Sequence, residues 1–230
     1  YISVDESYKP IIEEQLKIFN SEFPDAHIIP LYKPEADCVE DLYNDSIRLV
    51  LLTRGLTTEE EDYFKKKKGF IPRYDAIAKD AVAIIMNKSV TNTQLTIQNL
   101  KDLLGEKGHG NFYPVLDGVK QTSNLRFIQD SILVGKALSK KISGAKGNEK
   151  VIEVVSNDPD AIGFIGLNWI SNHDDPENLK IFDKIQIASV ECLKCKDGSF
   201  VTPNQTMVAT KYYPLSSTLY YVDKEYKGGV

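Results

Sequence analysis

The sequence predicts an α/β protein in which helices cover a largely parallel sheet. Three observations lead there. Strand-like and helix-like patterns alternate over the first fifty residues. A run at 80–87 is apolar almost throughout. Asp160-Ala161-Ile162-Gly163-Phe164-Ile165-Gly166 places glycines inside a strand pattern. Strands that alternate with helices imply crossover connections and hence parallel pairing.

Taken in order, Ile2-Ser3-Val4 is a short buried strand and Asp5-Glu6-Ser7 its loop. Ile12, Leu16, Phe19 and Phe23 then share one helical face, with Ser7 as N-cap and Pro10 tolerated in the first turn. Pro24-Asp25 ends that helix. A second strand is expected over 26–32, a second helix over 34–42, and a third strand at Arg48-Leu49-Val50-Leu51-Leu52. Ligands of such sheets bind beyond the carboxyl ends of the strands. Those ends here are Asp5-Glu6-Ser7, Lys33-Pro34 and Thr53-Arg54, with a hydroxyl or a cation at each exit.

Thr57-Thr58-Glu59-Glu60 is a capping box, and its helix runs to Lys65-Lys66-Lys67-Lys68, cations suited to a helix C-terminus. The apolar run at 80–87 is a central strand buried on both faces. Thr96 caps a helix that begins near Leu95, and 105–111 is a Gly/His loop. Tyr113-Pro114-Val115-Leu116 is a strand that ends in a turn at Asp117-Gly118. Leu125, Ile128, Ile132 and Leu133 recur at helical spacing, so Thr122 or Ser123 is that helix's N-cap. A loose segment at 139–147, a helix near 148–155, and strands at 161–166, 185–190, 207–210 and 218–222 complete the chain.

Gln121-Thr122-Ser123-Asn124-Leu125-Arg126-Phe127 is the most informative stretch. A helix start leaves backbone N–H groups unpaired, and the macrodipole makes that end partly positive. Two hydroxyls, an amide and an arginine there make either an oxyanion receptor or an ordinary cap with a surface arginine.

Composition narrows the classes. The 230 residues are 42% hydrophobic and 27% charged, ample for one large or two modest domains. A net charge of −5 argues against a general nucleic-acid binder but leaves a small anion open, since hydrogen bonds act locally. No run is long enough to cross a bilayer. The chain opens on Tyr1 rather than Met, which reads as a processed or trimmed fragment. Cys192 and Cys195 form a C-x-x-C pair without a second pair or a His pair, so zinc is not implied. A local disulfide and two free thiols both fit. The pair lies in a polar, hairpin-like segment, unlike a thioredoxin-type pair between strand and helix. His27 falls in a strand, and His109 and His173 fall in polar loops without a nucleophile elbow. With no P-loop or dinucleotide fingerprint either, the chain reads as a protein that is not an enzyme and takes no cofactor and no metal.

Several pieces together resemble the phosphate-binding proteins of ABC transporters, in the type 2 periplasmic-binding-protein superfamily. They are Val4-Asp5-Glu6-Ser7, Thr53-Arg54-Gly55-Leu56-Thr57 with Glu59-Glu60, and Asp80-Ala81-Val82-Ala83-Ile84-Ile85-Met86-Asn87 as the first interdomain crossing strand. Leu95-Thr96 with Leu100, the glycine strand from Asp160, and Tyr213-Pro214-Leu215-Ser216 with Leu219-Tyr220 follow in the family's order. The resemblance implies a two-lobed α/β fold, mixed sheets flanked by helices with the ligand in an interlobe cleft. Residues 1–86 plus 183–230 would form lobe I and 87–182 lobe II, with two crossings and hinged closure.

Residue by residue, Ser7 matches the first-strand hydroxyl, Thr53 and Arg54 match a serine-arginine pair, and Thr122, Ser123 and Asn124 fall on the serine-glycine-threonine anion loop. Ser123 stands at that loop's glycine, and Asp117-Gly118 stands where an arginine is usual, so Arg54 or Arg126 would supply the charge. The glycine-serine loop usual after the second strand is replaced by Tyr32-Lys33-Pro34-Glu35-Ala36-Asp37. These departures resemble a divergent lipoprotein branch, and the family's C-terminal helical segment would lie beyond Val230. Phosphate keeps a proton at neutral pH and sulfate does not, so a carboxylate would select phosphate; Asp5, Glu6 and Asp37 are the candidates. The implied protein is a monomer that binds phosphate or a related oxyanion outside the cytoplasm. It would be tethered to the membrane through a removed N-terminal lipid anchor and would deliver its ligand to an ABC permease. The alternative is a surface lipoprotein or sensor with a degenerate or different anion pocket.

Overall fold

Hydrogen bonding along β1 (Ile2–Asp5) organises the N-terminal half of the computed structural model, which describes residues 1–106, 108, 110–118, 122–172 and 176–224. The chain divides into two compact units, Tyr1–Ala78 with Thr218–Val230, and Lys79–Ser217. In the first, α1 (Lys9–Glu22), β2 (Pro30–Lys33), α2 (Glu35–Tyr43), β3 (Leu49–Leu52) and α3 (Thr58–Lys68) follow β1 in the expected alternation. β1 pairs in parallel with both β2 and β3, and the C-terminal strand Ser216–Asp223 lies antiparallel to β3. Cys38, Val39 and Leu42 of α2 pack with Phe64 of α3 on one face of this sheet. Tyr8 and Ile12 pack with Val4 and Leu51 on the other.

Three local readings change. The strand expected over 26–32 begins only at Pro30, because β1 is four residues long and its first residue, Ile2, is already opposite Pro30. His27 therefore lies exposed in the preceding connection. Ser7 does not cap α1. The Asp5 side chain accepts the Ser7 N–H at 2.9 Å and closes a 3₁₀ turn, Glu6–Tyr8, after which α1 starts at Lys9 with Pro10 in its first turn. The capping box at Thr57 forms in full, and Gly69, at φ 79°, ends α3 in the left-handed conformation glycine favours.

β4 (Arg73–Asn87) carries the chain into the second unit, and Ala81 to Met86 are all buried. Beyond it come β5 (Gln94–Leu95), α4 (Ile97–Leu104), β6 (Tyr113–Leu116) and α5 (Ser123–Ile128), which continues as a π-helical turn through Leu133. β7 (Ser143–Gly144), α6 (Asn148–Asn157), β8 (Ala161–Gly166), α7 (Pro176–Phe182) and β9 (Ile185–Ile187) follow. β10 (Ser189–Glu191), β11 (Phe200–Val201), α8 (Gln205–Ala209) and β12 (Ser216–Asp223) close the chain. β8 is antiparallel to β4 and parallel to β6, which is parallel to β7.

The strand expected over 185–190 breaks at Ala188. β9 stays on β4, whereas β10 joins β5 and β11 in a separate three-stranded sheet. The strand expected over 207–210 is instead α8, because the Asn204 side chain accepts the Met207 N–H at 3.0 Å and starts a helix. Cys192 and Cys195 are joined in a disulfide with Cα atoms 5.3 Å apart, and Cys38 is free and buried. Residues 79–86 and 183–217, which the resemblance placed with lobe I, lie in the second unit. Among the described residues no helix is long and apolar enough to cross a membrane.

Two outcomes test this packing. A Cβ on Gly163 would lie 2.7 Å from side-chain carbons of Ile85 and Val151 and 2.8 Å from one of Val155. Gly163→Val is expected to lower stability by about 1–3 kcal/mol in urea unfolding. Burial raises the Asp80 carboxyl to about pKa 6, against the hydrogen bonds from Ala81 N–H and Asn168 that lower it. Folded Asp80 thus holds its proton more tightly than an unfolded aspartate. The stability this contributes is complete below about pH 4 and is lost as pH rises through about 6. Asp80→Asn should flatten that decline in a series of unfolding curves from pH 4 to 7.

Candidate functional site

Each unit brings polar side chains to the carboxyl ends of its parallel strands. In the first unit, β1 ends at Asp5, which is 1% exposed, and Ser7 beside it is 3% exposed. Glu6 is half-buried, and burial raises its carboxyl pKa. Asp37 lies half-buried in the first turn of α2.

β3 delivers Thr53 and Arg54 to two acids. The Thr53 hydroxyl donates to Glu35, and Arg54 Nε donates to the other oxygen of Glu35 at 3.2 Å. Arg54 Nη1 and Nη2 grip both oxygens of Glu60 at 2.7 and 2.8 Å. Glu60 also accepts the Thr57 N–H, so the capping box of α3 and the arginine share one carboxylate. Burial opposes the charge on Arg54. The hydrogen bonds and fields of Glu60 and Glu35 outweigh it and hold the pKa above the ordinary arginine value. One guanidinium thus faces two buried carboxylates.

In the second unit the loop after β6 leads to α5. Thr122 is the N-cap, with its hydroxyl accepting the Leu125 N–H at 3.3 Å. Thr122, Ser123 and Asn124 are 4%, 1% and 4% exposed. Gln121 lies outside the described residues, as do His109 and His173. Arg126 sits one turn on, its guanidinium 3.4 Å from Asp130. Asn124 Nδ2 donates to Asp117 at 2.8 Å and lies 3.4 Å from Asn148 Oδ1, which accepts the Gly166 N–H at 3.0 Å. A turn, two helix starts and a strand end are thereby stitched into one buried network.

The structure therefore groups Ser7 and Glu6 around Asp5, pairs Thr53 with Arg54 on Glu35, and gathers Thr122, Ser123 and Asn124. Arg126 stays with Asp130. That Glu35 and Glu60 hold Arg54, and that Asp117 and Asn148 join Asn124, was not read from the sequence. Asp117, one residue past β6, obeys the same strand-end rule that singled out Ser7. Asn148 follows a glycine and begins a helix, which carries no ligand signal. Among the described residues no cluster of three or more His, Cys, Asp or Glu side chains could hold a metal ion.

A family model described as the PBP superfamily domain matches residues 1–230. The chain belongs to that family. No curated protein matches this PBP superfamily domain in sequence. Among solved structures it is similar to a phosphate-bound substrate-binding protein of Clostridium perfringens assigned to a phosphate ABC transporter. That match has TM-score 0.75 at 20% identity, covering 97% of this chain and 85% of that one. An ABC-type phosphate transport receptor from Vibrio cholerae aligns with TM-score 0.68 at 14% identity, covering 99% and 87%. The regulatory domain of Synechocystis CcmR in complex with 2-PG aligns with TM-score 0.62 at 9% identity, covering 100% and 88%. The mixed α/β fold is that of the type 2 periplasmic binding proteins.

Arg54 supplies the test of this geometry. Arg54→Met would leave Glu35 and Glu60 as adjacent buried charges. It is expected to destabilise the protein by about 3 kcal/mol in chemical denaturation. An unchanged unfolding midpoint would show that the arginine is not holding the two carboxylates.

Proposed function

We propose that the chain is an extracytoplasmic solute-binding protein that takes phosphate and delivers it to an ABC transporter permease. The observation that carries this reading is the buried Thr122-Ser123-Asn124 run after β6. With Asp117 and Asn148 these hydroxyls and this amide form one buried hydrogen-bonded network, a set of convergent polar groups of the kind that fixes a small ligand. The phosphate-bound Clostridium perfringens structure supports the choice of ligand. On this reading Thr122 and Ser123 hold the anion, and Ser7, Glu6 and Thr53 are ligand-binding groups of the first unit. Asp117 accepts a hydrogen bond from the O–H that hydrogen phosphate carries and sulfate lacks. Arg54 acts through Glu35 and Glu60 as a positioning residue, and Arg126 supplies positive potential one turn from the loop.

The protein's work is differential affinity between conformations rather than catalysis. The Cys192–Cys195 disulfide suits an oxidising compartment outside the cytoplasm, and anchoring by an N-terminal lipid would keep a monomer near its permease. The likeness to the CcmR regulatory domain favours a second reading, an anion sensor on the same fold without a transport role.

Calorimetric titration tests the ligand. Phosphate is expected to bind, with sulfate weaker by about a hundredfold or more, the effect of placing an unprotonated oxyanion against a buried carboxylate. Absence of heat with either anion at millimolar concentration overturns the reading. Equal affinity for both removes the hydrogen-bond-accepting role of Asp117.

A further inference from the structure

Asn148 is 1% exposed and opens α6, a ten-residue helix whose N-cap, Gly147 at φ 83°, has no side chain to offer. The Asn148 Oδ1 accepts the Gly166 N–H at 3.0 Å, so the orientation of the amide is set: reversing it would point two N–H donors at each other. Nδ2 is therefore the free end of that amide, and its two N–H bonds are donors. It is buried, and among the described residues nothing accepts a hydrogen bond from it. A buried amide donor left without a partner costs about 1–3 kcal/mol, and folded proteins rarely tolerate one without a reason. The two N–H bonds of the neighbouring Asn124 are already directed at Asp117 Oδ2 and Asn148 Oδ1. Of the two asparagines, Asn148 is the one with donor capacity to spare, and it sits at the positive end of α6.

We propose that Asn148 is a ligand-binding residue whose Nδ2 donates to the bound tetrahedral oxyanion, while Asn124 positions Asp117. The inference rests on the anion-binding reading above and changes it. The amide donor comes from α6 and not from the Thr122-Ser123-Asn124 run that the resemblance singles out. A ligand there must be an acceptor towards Nδ2, which an oxyanion satisfies through any of its oxygens.

The test uses the whole chain and inorganic phosphate. Asn148→Asp keeps the size and the acceptor for Gly166 N–H but replaces the donor with a charged oxygen. It is expected to weaken phosphate binding by about a hundredfold, with Asn148→Ser weaker than wild type by about tenfold. In ¹⁵N-labelled wild-type protein the Asn148 side-chain amide, identified by its loss in either variant, should shift downfield when phosphate is added. The shift itself is read on the wild-type protein, and the signal is assigned from whichever variant keeps the rest of the spectrum unchanged. A side-chain amide signal that stays in place as phosphate saturates the protein overturns the proposal, as does affinity within threefold of wild type in a folded Asn148→Asp. If wild-type protein takes up no phosphate at all, the functional reading itself fails and this assignment falls with it.

Discussion

A strand buried on both faces must divide its side chains between two cores. In the second unit β4 does so: Val82, Ile84 and Met86 join the larger cluster, and Ala83 and Ile85 join the one built on α6. No polar residue between Ala81 and Met86 would be tolerated without a partner, which is why the run reads as continuously apolar. β8 then lies against β4 along five residue pairs, from Val82 opposite Gly166 to Met86 opposite Ile162. Gly163 is the point of closest approach, where the side chains of Ile85, Val151 and Val155 occupy the space a Cβ would need. This contact sets α6 against the sheet and so places Asn148 at the end of β8.

The polar residues at the strand ends fall into two electrostatic types. Around Arg54 a cation is held by two carboxylates, with bidentate geometry on Glu60 and a shared capping box. Around Asp117 the donors are amides and hydroxyls, and the network ends in an amide donor that nothing described accepts. The first type orders the β3–α3 connection, whereas the second leaves hydrogen-bonding capacity for something outside the chain. An arginine in sequence therefore says little about where an anion goes until its acidic neighbours are known.

Similarity at 9–20% identity to transport receptors and to a regulatory domain alike shows how widely one scaffold is shared. The fold supplies strand ends and helix starts, and the chemistry is decided by which side chains occupy them.

What the sequence by itself determined is local: the alternation of the first fifty residues, the apolar run of β4, the capping box at Thr57, and a cap of α5 at Thr122 or Ser123, which the structure assigns to Thr122. Each depends on residues a few positions apart, so periodicity and cap chemistry suffice. The start of β2, the break at Ala188, the helix in place of a strand at Gln205–Ala209 and the bond between Cys192 and Cys195 depended on what each segment meets. The same holds for the site. Ser7 and Asn124 are visible as polar residues in the right loops. That Asp5 engages the Ser7 N–H, that Arg54 belongs to Glu35 and Glu60, and that Asn148 reaches the network of Asn124 are contacts between residues up to 24 positions apart. A hydrogen bond has no periodicity along the chain, and only the tertiary structure decides which donor meets which acceptor.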